Sequence, residues 1–336
     1  MKRAFMFFGI TAVLIMFAIN VLAAPVTLKF AAINPAQSPA GKLEKQWSEK
    51  VMKDSEGTLK IDIYAGGTLG RNPTVYLKKV IDGTADIAWA IPDYTPGKFP
   101  DDVVFHLPFL AENQFEASLA AQRMLDKGFL QGYEDLVVMN LGTTQPYFIQ
   151  TKFPVNSPGD LKGHKFRVAD KTQADMMKQL GVTPVTGIPI TKAAEALSMG
   201  VVDGTICDTT GLFAFRIADA TSYHVKLPLG TVTIVYAMNK KVYEGLPAKA
   251  KQAIDKNRGS VFCKVFYQPL TEVNQKLFDK LQNDPKHTVT IPAGKEREEW
   301  KTALQPVIDA WIKETPNGAK LYQAYKNELE LIRAGK

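Results

Sequence analysis

The amino-acid sequence predicts a two-domain α/β protein that is exported from the cytoplasm. Three observations lead to this prediction. The first 23 residues have the pattern of a secretory leader, strand and helix patterns alternate along the rest of the chain, and the alternation restarts near residue 145. Without the leader 313 residues remain (336 minus 23), which exceeds one ordinary hydrophobic core.

The leader begins with Lys2 and Arg3, continues as an almost wholly apolar run over 4–18, and ends in small residues up to Ala23. A basic start, an apolar centre and a small-residue end are typical of a secretory signal peptide. A membrane anchor is the alternative, but Gly9, Thr11 and Asn20 interrupt the apolar segment, and a spanning helix needs about 20 apolar residues. We therefore expect cleavage near Ala23 and a periplasmic location.

The first half of the remaining chain predicts a first α/β unit. Strands are predicted at VTLKFAAI, LKIDIYAGG, ADIAWAI and LVVMNLG, and helices at KLEKQWSEKVMKDSEG, TVYLKKVIDG and FEASLAAQRMLDKGF. In the first helix Leu43, Trp47 and Val51 recur at helical spacing, and Gly57 ends it. Alternating strands and helices predict a largely parallel sheet with helices on both faces.

The pattern restarts as a second α/β unit, followed by long helices. Strands are predicted at YFIQTKFPV, KFRVAD, TPVTGI and VVDGTICD, and helices at KTQADMMKQLG and TKAAEALSMG. A helical stretch of more than thirty residues follows an extended segment, with kinks expected at Gly259 and Pro269, and two more helices end the chain. We predict a domain I of residues 24–144 and 232–272 and a domain II of residues 145–231 and 273–336, with long C-terminal helices spanning both.

Composition and charge narrow the class of ligand. Hydrophobic residues make up 46% and charged residues 22%, an ordinary globular balance. The net charge of +7 falls to +5 when Lys2 and Arg3 leave with the leader, and the surplus is spread along the chain. This mildly favours anionic ligands and does not indicate a nucleic-acid partner. Cys207 and Cys263 could form a disulfide in an exported protein or be buried as free thiols, and the sequence leaves this open.

No motif predicts an enzyme, a metal site or a cofactor. None of the four histidines stands in HExxH or at metal-ligand spacing from cysteine or acid. There is no GxSxG elbow and no GxxxxGK[ST] phosphate loop. An exported enzyme with a site made of distant residues stays as the alternative of another class.

Six segments of the chain carry a family resemblance. They are GGTLG (66–70), VIDGTADIAWAIPDY (80–94), VVFHLPFL (103–110), SPGDLKGHKFRVAD (157–170), EALSMGVVDGT (195–205) and MNKKVYEGLP (238–247). In order and spacing they resemble the substrate-binding proteins of TRAP transporters, the tripartite ATP-independent periplasmic systems. The resemblance covers the whole mature chain and implies a hinged two-domain periplasmic binding protein that closes on a small organic acid.

The resemblance assigns the ligand's carboxylate to Arg167, which stands just before a predicted strand ends and a helix begins. In the family the matching arginine reaches into the interdomain cleft. The physics agrees, because a planar fork of donors suits a carboxylate and α/β sheets bind ligands at the carboxyl ends of their strands. A surface arginine on a strand edge is the alternative.

Other site residues follow from the same resemblance. Asn34 matches a loop that often lines the cleft, and Thr205 and Cys207 match the end of a strand that faces the ligand. Sialic-acid binders carry an asparagine in place of Cys207, and a cysteine donates only weakly, which implies a less polar pocket. The candidate wall residues are Tyr94, Phe148, Thr209 and Phe213. Burial in the core is the alternative for each.

Two departures from the sialic-acid binders bear on the ligand. The chain has Pro146, Tyr147 and Phe148 where those proteins have a second arginine, and Ile91 where they have an acid. Unpaired sugar hydroxyls would each cost about 1–3 kcal/mol in such a pocket. We therefore expect a monocarboxylate, aromatic or a 2-oxo acid, with a C4-dicarboxylate or a sugar acid as the alternative.

The resemblance also implies partners. A receptor of this family delivers its ligand to TRAP permease subunits in the membrane. A receptor that signals through a sensor is the alternative. A monomer is expected, and the amphipathic C-terminal helix leaves a dimer open.

Overall fold

The computed structural model describes residues 24–336, and the predicted leader lies outside this range. The strands are β1 Val26–Ala31, β2 Leu59–Tyr64, β3 Ile87–Ala90, β4 Leu136–Thr143, β5 Phe148–Thr151, β6 Lys165–Arg167, β7 Thr183–Val185, β8 Gly204–Cys207, β9 Tyr223–Val225, β10 Thr233–Asn239 and β11 Thr288–Thr290. The helices are α1 Pro39–Asp54, α2 Tyr76–Ile81, α3 Gln114–Asp126, α4 Lys171–Gln179, α5 Ala193–Ser198, α6 Thr209–Ala214, α7 Lys240–Glu244, α8 Ala248–Lys256, α9 Ser260–Gln282, α10 Gly294–Glu314 and α11 Gly318–Arg333. Among the helices of this range, none is long and apolar enough to cross a membrane.

The strands form two sheets, and the α/β fold class is confirmed. The first has the order β2-β1-β3-β10-β4 and the second β11-β9-β5-β8-β6-β7. In the first sheet β1 pairs in parallel with β2 and β3, whereas β10 runs antiparallel between β3 and β4. In the second, β5 is antiparallel to both of its neighbours. Both sheets are therefore mixed, and in each the antiparallel strand is one that follows a crossover of the chain from the other sheet, β10 in the first and β5 in the second.

Helices cover the first sheet with an aromatic core. The Trp47 ring of α1 lies 5.3 Å from that of Phe262 on α9, and Tyr236 of β10 lies 4.9 Å from the same ring. The Trp47 indole donates to the Asn257 carbonyl at 2.9 Å. That carbonyl belongs to the break between α8 and α9, where Gly259 adopts φ 62°. The helical stretch is thus interrupted before Gly259, and Pro269 lies inside α9.

Two extended segments cross between the sheets side by side. The Tyr147 N–H donates to the Gly230 carbonyl at 2.8 Å, and the Leu229 N–H donates back to the Tyr147 carbonyl at 2.9 Å. A third segment joins them, since the Thr231 N–H donates to the Phe105 carbonyl at 3.0 Å. We call residues 144–147 and 229–232 the crossover pair.

The long C-terminal helices connect the two halves. Helix α9 packs on α1 and α3 and also reaches α6 and β11, and α10 packs on α4. Helix α11 returns to α3, and its Tyr325 ring stands edge-on to Phe105 with centroids 5.0 Å apart. The predicted division placed α11 in domain II, and the boundaries remain a prediction.

Candidate functional site

A cleft of about 1740 Å³ opens where the carboxyl ends of strands from both sheets meet. From the first sheet it is lined by residues that follow β1 and β3, and from the second by residues at the ends of β6 and β8. Crevices at these strand ends are where open α/β sheets bind ligands. The fold therefore brings together loops that are far apart in the sequence.

Arg167 is the buried cation of this cleft. It is the last residue of β6 and only 5% exposed. Its Nε donates to the Ile188 carbonyl at 3.0 Å, which fixes the plane of the guanidinium. No ion pair within residues 24–336 includes Arg167, so its terminal nitrogens are available to a ligand carboxylate.

The groups around Arg167 are polar but mostly uncharged. Burial lowers the pKa of Arg167, while nearby Tyr147, Cys207, Tyr94 and Asp170 act to raise it. Burial also raises the pKa values of Tyr147 and Cys207 well above their usual ranges, so both stay neutral at physiological pH. A guanidinium remains charged under these conditions. The site thus offers one buried positive charge to a ligand anion.

The walls of the cleft are largely apolar and aromatic. The lining includes Trp89, Tyr147, Phe213, Tyr236, Phe266, Tyr267, Ile91, Ile234 and Leu270. Several of these are almost fully buried, so the cleft extends into the core beneath β10 and α9. Apolar, aromatic walls with a few polar groups are typical of small-molecule sites.

A histidine links acids from the two halves beside Arg167. His106 Nε2 lies 3.3 Å from Asp93 Oδ2, and Nδ1 lies 3.9 Å from Asp170 Oδ2. Asp93 follows β3, whereas Asp170 caps α4 by accepting from the Gln173 N–H at 2.8 Å. Burial raises the pKa of Asp93, against the opposing influence of His106. These groups place further titratable side chains at the cleft that the sequence did not single out.

The predicted site residues divide into two groups. The cleft is lined by Arg167, Asn34, Tyr94, Cys207 and Phe213. The Asn34 amide donates to Glu44 Oε1 at 2.7 Å. Tyr94 is 41% exposed at the rim.

The other three predicted residues, Phe148, Thr205 and Thr209, lie in the core of the second half rather than at the cleft surface. Phe148 packs edge-on to Phe278 at 6.0 Å, and the Thr205 hydroxyl donates to the Arg167 carbonyl at 3.2 Å. Thr205 therefore supports the strand that carries the arginine.

Sequence reasoning named Tyr147 as a departure from the sialic-acid binders, but it gave the next residue, Phe148, and not Tyr147 as a wall residue of the site. Side chains alternate along a strand, so when Phe148 turns into the core Tyr147 is free to face the cleft. It also missed Glu44, which lies three residues before Trp47 and seven before Val51. A charged residue on the buried stripe of α1 was the available signal.

Cys207 and Cys263 are free, buried thiols in different cores. Among residues 24–336 no group of three or more His, Cys, Asp or Glu side chains could hold a metal ion.

Comparison with known proteins identifies the family. Residues 30–315 match the model of the DctP family, bacterial extracellular solute-binding protein family 7. A marine-metagenome TRAP solute-binding protein specific for aromatic acids, solved with metahydroxyphenylacetate, is 32% identical, covers 91% of this chain and 98% of its own, and has a TM-score of 0.83.

Two further relatives differ in their ligands. A TRAP solute-binding protein from Rhodoferax ferrireducens, solved with copurified benzoate, is 29% identical over 91% of this chain and 98% of its own, with a TM-score of 0.79. The C4-dicarboxylate-binding periplasmic protein DctP of Rhodobacter capsulatus is 22% identical over 90% of this chain and 91% of its own.

The chain belongs to the DctP family of extracellular solute-binding proteins, and it is a TRAP solute receptor. The predicted class is confirmed. Members of this family are extracytoplasmic receptors for small organic acids and not enzymes.

Proposed function

We propose that the protein binds an aromatic monocarboxylate in its cleft, with the Arg167 guanidinium holding the carboxylate. The observation that carries this proposal is a buried arginine that forms no ion pair with any residue of 24–336 and faces a cleft with aromatic walls. A charge-assisted, bidentate pair of hydrogen bonds to the ligand carboxylate would satisfy the donors of the guanidinium. Trp89, Tyr147 and Phe266 would cover the faces and edges of the ring.

The relatives support the same ligand class. The structures that are 32% and 29% identical to this chain hold metahydroxyphenylacetate and benzoate, both aromatic monocarboxylates. We propose that this receptor works in the periplasm after loss of its leader near Ala23, and that as a monomer it delivers the ligand to TRAP permease subunits. Mass spectrometry and light scattering of protein secreted by cells test these points, since an intact Met1 or a stable dimer would contradict them.

A C4-dicarboxylate is the second candidate, and Arg71 is the observation that favours it. This exposed arginine lines the same cleft and could meet a second ligand carboxylate. The pairing would be solvent-screened, and exposed ion pairs contribute only about 0–1 kcal/mol. The apolar walls would also leave a short dicarboxylate with little to contact.

Thermal unfolding with candidate acids tests the proposal. A ligand at 100 times its Kd stabilises the folded state by about 2.7 kcal/mol, so we expect millimolar benzoate to raise the Tm by about 5 °C or more. Succinate and glucuronate at the same concentration should leave the Tm within about 1 °C. A rise with succinate and none with benzoate would favour the dicarboxylate, and turnover of a bound acid would indicate an enzyme.

A further inference from the structure

Glu44 is a buried carboxyl, and no cation among the described residues pairs with it. It lies on α1, is 1% exposed, and belongs to no ion pair within residues 24–336. Burying such a group is costly unless hydrogen bonds compensate. Burial raises the pKa of Glu44 to about 7, although hydrogen bonds from Asn34 and Tyr236 act to lower it. Simple packing of α1 does not require this residue, because an apolar side chain would fill the same stripe.

Both hydrogen bonds to Glu44 come from side chains that line the cleft. Asn34 Nδ2 donates to Glu44 Oε1 at 2.7 Å, and the Tyr236 hydroxyl donates to the same oxygen at 3.0 Å. Glu44 Oε2 is buried and has no hydrogen-bond partner in the part of the chain that the structure describes. The carboxyl therefore stands one side chain behind the cleft wall.

A third cleft-lining group lies close to this carboxyl. Tyr267 of α9 is fully buried, its hydroxyl has no hydrogen-bond partner within residues 24–336, and the charge of Glu44 acts to raise its pKa. A Cβ atom at Gly142 would lie only 2.3 Å from this hydroxyl, so the glycine makes room for it. We refer to Asn34, Glu44, Tyr236 and Tyr267 as the Glu44 cluster.

The direction of these hydrogen bonds determines which chemical group of a ligand can bind at the Glu44 cluster. The Asn34 amide gives one N–H to Glu44 and the Tyr236 O–H points to the same carboxyl, so the Asn34 Oδ1, its second N–H and the lone pairs of the Tyr236 oxygen are left to the cleft. A neutral donor such as a hydroxyl completes this arrangement. A second carboxylate can only accept hydrogen bonds, so it cannot use these acceptors, and it is repelled by ionised Glu44, since a buried charge is poorly screened.

We propose that the Glu44 cluster is a specificity-determining subsite, which accepts a hydroxyl group of the ligand and excludes a second carboxylate. Glu44 is a positioning residue, since it acts through Asn34 and Tyr236. The proposal rests on the proposed function and narrows it to hydroxylated aromatic monocarboxylates.

The other titratable groups near the cluster do not cancel its charge. Burial raises the pKa values of Tyr236 and Tyr267 well above their usual range, so both phenols are neutral at physiological pH. Arg71 is the cation that lines this side of the cleft, and it is exposed to solvent. Among the four residues of the Glu44 cluster, the charge that changes near neutral pH is therefore that of Glu44, which is ionised above its pKa and neutral below it.

Two ligands that differ at one position test the subsite. Isophthalate carries a carboxylate where 3-hydroxybenzoate carries a hydroxyl, and benzoate has neither. By isothermal titration at pH 8 we expect the wild type to bind 3-hydroxybenzoate at least tenfold more tightly than isophthalate. Glu44→Gln keeps the shape and removes the charge, so this preference should fall about tenfold while benzoate affinity changes less than twofold. Lowering the pH to 6 should reduce the wild type's preference for 3-hydroxybenzoate over isophthalate. The preference of Glu44→Gln should not change with pH.

Matched variants separate the subsite from general effects. Glu49→Gln removes a charge from the exposed face of the same helix and should leave the preference unchanged. Asn34→Ala should lower the affinity for 3-hydroxybenzoate to that for benzoate. If Glu44→Gln fails to fold, Asn34→Ala tests the subsite in its place. An unchanged preference in Glu44→Gln, or in Asn34→Ala, would overturn the subsite while leaving benzoate binding intact. Failure of the wild type to bind benzoate and 3-hydroxybenzoate would overturn the proposed function and the subsite together.

Discussion

Arg167→Ala will reduce the affinity for benzoate by roughly thirty- to several-thousand-fold, because the variant leaves the ligand carboxylate unpaired in a closed cleft. Losing one partner of a buried, hydrogen-bonded charge pair costs about 2–5 kcal/mol. Arg167→Lys keeps the charge but loses the planar fork, so it should recover only part of the affinity. Isothermal titration of benzoate against each variant measures both effects.

Arg71→Ala is the matched control for this prediction. It removes a guanidinium that lines the same cleft but is exposed to solvent. We expect less than a threefold change in benzoate affinity, since exposed ion pairs contribute little. If Arg167→Ala binds benzoate within twofold of the wild type, or if Arg71→Ala shows the larger loss, Arg167 does not hold the carboxylate.

Gly230→Ala should destabilise the protein by about 2–5 kcal/mol. Gly230 has φ +79°, where an L-residue is strained by roughly 1–2 kcal/mol, and an added Cβ would lie 2.0 Å from the His106 carbonyl oxygen. The collision forces backbone to move in the crossover pair, and such overpacking typically costs about 1–3 kcal/mol more. Thermal unfolding should show a Tm lower by about 10 °C.

Gly163→Ala measures the backbone strain of an alanine at positive φ without a collision of its Cβ atom. Gly163 has a similar φ of +84°, but no atom lies within 4 Å of an added Cβ. Its cost should therefore stay near the roughly 1–2 kcal/mol of the backbone term. Equal Tm losses in the two variants would show that the contact between Gly230 and His106 does not restrain the crossover pair.

Local patterns predicted most of the elements, although not β9, β11 or α6, and they predicted the position of Arg167 but not its role, which came from the family resemblance. The alternation of Lys165 to Ala169 placed the arginine at the end of a strand, and strand ends in α/β sheets meet at one edge. Local patterns did not predict that β10 pairs between β3 and β4. That pairing depends on where the chain returns to the first sheet after residues 145–231.

Features that depend on contacts between distant parts of the sequence could not be predicted from local patterns. The apolar stripe of α11 predicts a buried face but not its partner, and in the structure that partner is α3. Phe148 and Tyr147 could not be told apart because a shift of one residue exchanges the core face and the cleft face. The Glu44 cluster joins α1, the loop after β1, β10 and α9, so no short segment contains it.

The position of β10 also determines when each sheet can form as the chain is synthesised. Strands β5 to β9 lie within residues 148–225, so most of the second sheet is made as one continuous piece. The first sheet has to wait for β10, which ends 96 residues after β4 (239 minus 143). At about 5–20 residues per second, β3 and β4 stay unjoined for roughly 5–20 s. The first sheet therefore lacks the strand that joins β3 to β4 until β5 to β9 of the second sheet have all been made.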